Sequence, residues 1–132
     1  MASVRREVIL DSSPEKVWDA VRDFGALDRR LVPGFVTAVQ LEGSTTRMVT
    51  FANGTQAREV LVDADDKSRR LVYAVVGGRL TAHSASVQVV AEGRGAKLVW
   101  ISDFLPNELQ PYIASQMDEA TKAMKKALDG AR

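Results

Sequence analysis

TRMVTFANGTQAREVLVDADD, residues 46–66, holds two runs rich in β-branched and apolar residues around Asn53-Gly54. Asn-Gly between such runs is the strongest short-range hairpin signal, because both residues accept the positive φ of a two-residue turn. The second run ends at Asp65-Asp66, so this stretch reads as two antiparallel strands closed by turn residues. One detail resists simple alternation. Arg58 and Glu59 are adjacent, and successive strand side chains point to opposite faces, so one charge must face the interior. Thr55, Ala57, Glu59 and Leu61 form one face; Gln56, Arg58, Val60 and Val62 form the other. Each face has two apolar and two polar members, so periodicity leaves the choice open.

The same grammar extends in both directions. FVTAVQLE (35–42) stops at Gly43, RRLVYAVV (69–76) at Gly77-Gly78, RLTAHSASVQVVA (79–91) at Glu92-Gly93, and GAKLVWISDFL (95–105) at Pro106. Links this short join antiparallel neighbours, since parallel pairs need long crossovers. Upstream, SVRREVIL (3–10) is a further strand. After it, Ser13 is suited to cap a helix and Pro14 to its first position. That helix runs to about Asp23 with Val17, Val21 and Phe24 on one face. Gly25 breaks it, and one more short helix fits before Pro33-Gly34. From about Asn107 to Asp129, Leu109, Ile113, Met117, Ala120, Met124 and Leu128 recur as one apolar helical stripe. Lys122, Lys125 and Lys126 gather near its end, where the helix dipole favours cations. Pro111 allows the regular helix to begin only there.

The resulting order is one strand, two short helices, six strands and one long helix. It predicts an α+β fold: a curved seven-stranded antiparallel sheet wrapped around the C-terminal helix. One helix cannot tightly cover so many strands, so a cavity is expected between the two layers. At 132 residues, with 45% hydrophobic and 27% charged, the chain suits one domain spanning 1–132. The net charge of +1 offers no basic footprint for nucleic acid. With no cysteine and a single histidine, disulfides, thiolate metal sites and multi-histidine zinc sites are excluded. Asp63, Asp65 and Asp66 crowd one turn but lack the glycine and distal glutamate of a calcium loop. No metal or organic cofactor is expected. No apolar run approaches the length of a signal-peptide core or a membrane span, which makes the default expectation a cytoplasmic protein. Its partner would be a small hydrophobic molecule, and both monomer and homodimer stay open.

Four landmarks then carry a family resemblance: SSPEKVWDAVRDF, VPG before the second strand, AREVLVDADDKSRRLVY, and LVWISDF followed by Pro106. In this order and spacing the chain resembles the START, polyketide cyclase and pollen-allergen superfamily (SRPBCC), the helix-grip fold, over nearly its whole length. The polyketide cyclase/dehydrase-like branch is the nearest in character. Aromatase/cyclases of that superfamily carry Ser-Glu-Arg where this chain has Ala57-Arg58-Glu59, and their third residue reaches the cavity. Abscisic acid receptors have an inward Glu at the same place. The resemblance therefore implies that Glu59 faces the pocket and Arg58 the solvent. It likewise places Val49, Phe51, Ala57, Leu61, Tyr73, Val75, Trp100, Ser102 and Phe104 on the concave face. His83 falls where many members have an inward Tyr, in phase with Ala85, Val87 and Val89. Ile113, Met117 and Met124 would supply an apolar roof. The chain departs from the receptors at the tight Ala52-Asn53-Gly54 turn, which replaces their gate loop, although Gly77-Gly78 resembles the start of their latch loop. From the cyclases it departs at Glu59 itself.

Three functions are compatible with these residues. One is a binding protein for a lipid, isoprenoid or polyketide-like molecule. The second is a cofactor-independent cyclase or dehydratase, with Glu59 as general acid/base and His83 or Tyr73 assisting; losing water would raise the Glu59 pKa toward that task. The third is an interaction or stress-related module with a vestigial cavity. Each site residue also has a plainer role. Glu59 could pair with a neighbouring Arg, His83 could be a hydrogen-bonded wall residue, and Tyr73, Trp100, Met117 and Met124 could be core. Ser102 could donate to a ligand carbonyl or merely fill space beside Trp100. No nucleophile–base–orienter set stands out, so binding is favoured over catalysis.

Overall fold

Strand β1 (Ala2–Leu10) and strand β7 (Gly95–Leu105) lie side by side along nearly their full lengths, bringing the first and last strands together. Where β7 begins, a Cβ on Gly95 would come within 2.0 Å of the Leu10 carbonyl oxygen. Only a residue with no side chain lets the two strands approach this closely. The structure is a computed structural model that describes residues 1–130; the last two positions of the expected 1–132 domain lie outside the described residues.

Between these strands come β2 (Val36–Glu42), β3 (Thr46–Phe51), β4 (Gln56–Asp65), β5 (Arg70–Val76) and β6 (Ala82–Glu92). They form one seven-stranded sheet in the order β1-β7-β6-β5-β4-β3-β2, with every neighbouring pair antiparallel. The turn residues sit where the sequence puts them, with one correction. β6 starts at Ala82, not at Arg79, because Gly77 and Gly78 both take positive φ and carry the chain away from the sheet. Residues 77–81 therefore form an open loop at one end of the concave face.

Helix α1 (Pro14–Arg22) is capped by Ser13, whose Oγ accepts the Lys16 N–H at 3.2 Å. A 3-10 turn (Phe24–Ala26) and a π turn (Leu27–Leu31) follow, then β2. Val17, Trp18, Ala20 and Val21 bury one face of α1. The Trp18 indole N–H donates to Asp66 at 2.8 Å, which ties α1 to the β4–β5 turn. Helix α2 (Gln110–Asp129) begins after a 3-10 turn (Asn107–Leu109), with Pro111 in its first turn, where a missing N–H costs nothing. At its far end the buried Asp129 carboxylate accepts the backbone N–H groups of Asp11 and Ser12. α2 is thereby fixed across the sheet's concave side. Among the described residues, no helix is long and apolar enough to cross a membrane.

The core is unevenly distributed. A large cluster joins Leu10, Val17, Trp18, Val21, Val89, Leu98, Met124 and Leu128 where α1 and the second half of α2 cover the sheet. A smaller one, Val4, Phe104, Leu109 and Met117, lies toward the start of α2.

Candidate functional site

A cavity of about 630 Å³ opens between the concave face and the first half of α2. Its wall takes Phe51 from β3, Ala57 and Glu59 from β4, Tyr73 and Val75 from β5, His83 from β6, and Trp100 and Ser102 from β7. Ile113 and Met117 of α2 close it from above, with Phe35, Leu80 and Leu109 at the sides. Exposed Thr55, Gln56, Gly77, Gly78, Arg79 and Tyr112 border it as well. The lining is mainly apolar with a few polar groups, as in most small-molecule sites.

The Arg58–Glu59 doublet divides its charges between the faces. Arg58 is exposed, and its guanidinium donates to both oxygens of Glu42, at 2.8 and 3.2 Å. Glu59 is only 6% exposed, directly across the ladder from Arg47, which is 5% exposed. Arg47 Nε donates to Glu59 Oε1 at 2.9 Å, and its Nη2 lies 2.7 Å from the same oxygen as an ion pair. Its Nη1 donates to the Phe24 carbonyl at 2.9 Å, and the Phe24 ring lies 3.8 Å from its Cζ. A buried ion pair persists only when such additional bonds satisfy its remaining hydrogens. Glu59 is thus the partner of an arginine, not an isolated acid in an apolar pocket. Arg47 is the polar residue that the sequence reading passed over. It is two residues before Val49 and four before Phe51, so the alternation that turns those two inward turns Arg47 inward too.

The other polar members form a second system. The Tyr73 hydroxyl accepts the Trp100 indole N–H at 3.2 Å. Burial holds the Tyr73 phenol well above its ordinary pKa, and the charge of Glu59 adds to the effect. His83 Nδ1 accepts the Val75 backbone N–H at 2.9 Å, and its Nε2 lies 3.1 Å from Ser102 Oγ. Burial pushes the imidazole down to about 4, against a small opposing effect of Asp103, so it is neutral at physiological pH. The hydrogen bonds of His83 run to Val75 and Ser102, not to Glu59 or Tyr73. Its ring packs beside that of Tyr73, 5.8 Å between centroids.

Four residues expected at the pocket do not reach it. Val49 and Phe104 are fully buried, Met124 is 3% exposed within the main cluster, and Leu61 packs against that cluster. Facing inward fixes the side of the sheet, but not whether the space opposite is filled. Conversely, Phe35, Leu80, Leu109, Tyr112 and Gln116 border the cavity although the sequence reading did not single them out. Leu109 already sits on the helical stripe; Phe35 and Leu80 lie outside regular strands, where alternation gives no direction. Among the described residues no cluster of three or more His, Asp or Glu side chains is placed to hold a metal ion.

The fold is shared with solved structures across nearly the full chain. An uncharacterized protein from Bacillus thuringiensis superposes with a TM-score of 0.85 at 22% identity, covering 96% of this chain and 98% of that one. Ara h 8.0201 gives 0.75 at 19% identity, covering 96% and 97%. A norcoclaurine synthase point mutant from Thalictrum flavum, in complex with a transition-state analogue, gives 0.72 at 19% identity, covering 96% and 93%. No curated protein matches by sequence. The family model described as polyketide cyclase / dehydrase and lipid transport matches residues 1–131. A match of that length, on a seven-stranded helix-grip fold, means that the chain belongs to the polyketide cyclase/dehydrase and lipid transport family.

Proposed function

We propose that the protein, read as a single ligand-binding domain over 1–132, holds a small hydrophobic molecule of lipid, isoprenoid or polyketide type in this cavity. The observation that carries the reading is the pairing of polar groups around an otherwise apolar void. Glu59 Oε1 is engaged twice by Arg47, and both ring nitrogens of His83 have partners. A general acid or base must exchange its proton with substrate at a pKa matched to the working pH. A neutral His83 pushed down to about 4 and a carboxylate bound to a guanidinium are poorly suited to that task. They are well suited to staying fixed while a ligand comes and goes. A vestigial module would have little reason to keep about 630 Å³ open beneath Trp100 and Tyr73.

Titration with the neutral dye N-phenyl-1-naphthylamine tests this reading. Its emission should rise and shift to the blue with the wild-type protein. Ala57→Phe, which fills the cavity from β4, should weaken that response about tenfold or more while thermal stability is kept. A wild-type protein that leaves the dye unchanged would sink the binding reading.

A further inference from the structure

The ladder between β5 and β6 stops at Tyr73↔Ala85, and the loop of residues 77–81 parts the two strands beyond it. Val75 therefore has no β6 carbonyl in that ladder, and His83 Nδ1 supplies the acceptor. A backbone N–H can only donate. Nδ1 must then be the unprotonated nitrogen, because an Nδ1–H would set two donors against each other at 2.9 Å. In a neutral imidazole the proton is then on Nε2, which donates to Ser102 Oγ at 3.1 Å. Ser102 has accepted its bond, and among the described residues its own O–H has no acceptor. Ser102 is 3% exposed and lines the cavity. A buried hydroxyl left without an acceptor is disfavoured, so something entering the cavity has cause to supply one.

We propose that the cavity selects ligands bearing a carbonyl-type hydrogen-bond acceptor, which takes its bond from the Ser102 hydroxyl, with His83 as the positioning residue that fixes the direction of that bond. The proposal rests on the ligand-binding reading and narrows it to ketones, esters and similar oxygenated hydrophobes over plain hydrocarbons. The polarity is dictated from outside the pocket. A backbone N–H sets the imidazole tautomer, and the tautomer leaves the serine proton for the ligand.

Two measurements test it. His83 is the single histidine, so ¹⁵N-histidine labelling gives one unambiguous imidazole signal pair. The neutral Nε2–H tautomer is expected at pH 7; the Nδ1–H tautomer, or an imidazolium, overturns the proposal. The second uses 2-acetylnaphthalene and 2-ethylnaphthalene, which differ by a carbonyl oxygen. The preference for the ketone, taken as the ratio of the two dissociation constants, should fall roughly 2- to 10-fold on Ser102→Ala, the range of one neutral hydrogen bond. Binding of the ethyl probe should survive and shows that the pocket is intact. An unchanged ratio sinks the serine's role alone, whereas failure of both probes to bind wild type sinks the pocket itself. Should Ser102→Ala not fold, the carbonyl stretch of acetylnaphthalene bound to wild type decides. A shift to lower frequency supports the bond, and a hydrocarbon-like frequency overturns it.

Discussion

Helix α2 meets two different interiors along its length. At Met124 it is pressed into the main cluster, among side chains of α1 and the far end of the sheet. At Ile113, about three turns earlier, it roofs a cavity. The helix is the same amphipathic stripe at both places, and the sheet beneath alternates in the same way. What differs is the cover. α1 contacts β6 and β7, and the turns that follow it contact α2 and β2, so they fill one end of the grip. The other end is roofed by α2, with Leu109 of the preceding turn beside it. Binding space in this fold is thus what remains where the second layer is one helix deep. The open end also gathers polar groups, with Arg47, Glu59 and Ser102 buried and His83 half-buried, while at the filled end the buried charged side chain among the described residues is Asp129, at the end of α2.

The largest effect is expected where that polarity is broken. Arg47→Leu leaves the Glu59 carboxylate buried without its cation and should cost about 3–5 kcal/mol, the range for one-sided loss of a buried pair. It also removes the donor to the Phe24 carbonyl. Urea denaturation measures the loss, and Arg47→Leu combined with Glu59→Leu should recover most of it. A cost below about 1 kcal/mol would mean that water reaches Glu59 through the cavity and stabilises its charge unaided.

At the filled end, Met124→Ala should cost about 2–4 kcal/mol, as truncation of a buried methionine leaves a void that close-packed neighbours only partly collapse into. The same urea series reads it. A negligible cost would mean that this end is as loosely packed as the other.

A smaller effect should follow acidification. His83 titrates near 6.5 when unfolded and near 4 when folded. Between these values the unfolded chain binds the extra proton, so stability is fully present above about pH 6.5 and declines as pH falls toward 4. For a half-buried ring flanked by Tyr73 and Asp103 the loss should be on the order of 1–2 kcal/mol after solvent screening. The carboxylates whose pKa is lowered by their partners, Asp19, Glu42, Asp118 and Asp129, begin to lose their contribution only as pH falls through the ordinary carboxylate range, at the acid end of that window and below it. Comparing wild type with His83→Gln between pH 7 and 4.5 isolates the histidine. Parallel pH profiles would show that His83 is no more buried than a surface residue.

The same contrast explains how much could be read in advance. The fold was legible because turn residues and periodicity act locally: Asn53-Gly54, Gly77-Gly78, Ser13-Pro14 and the stripe from Leu109 to Leu128 each specify their own element. The inward face of β4 took more, since Ala57-Arg58-Glu59-Val60 is balanced and only the superfamily's strand phase broke the tie. Depth was not legible. Val49, Phe104 and Met124 face inward like Phe51, Ser102 and Ile113, but cover from α1 and sheet curvature decide which meet atoms and which meet space. Arg47 was readable in phase with Val49 and Phe51. It escaped because a charged residue in a strand suggests solvent until its buried partner is known.

The smallest effect is expected at Ile113, and it is the sharpest test of the comparison. Ile113→Ala and Met124→Ala lie on one helix, and both end in the best helix-forming residue. Alanine should even return a few tenths of a kcal/mol of propensity relative to isoleucine. Atoms removed at Ile113 face the existing cavity and the small cluster around Phe104, so no new enclosed void is made. The net cost should stay below about 1 kcal/mol, since the cavity term that dominates large-to-small substitutions is largely missing. The enlarged pocket should in turn accept a bulkier probe, shifting dye affinity while stability barely moves. Equal costs at Ile113 and Met124 would mean that both ends of the groove are packed alike in solution. In that case the space assigned to a ligand would already be occupied by the protein's own side chains.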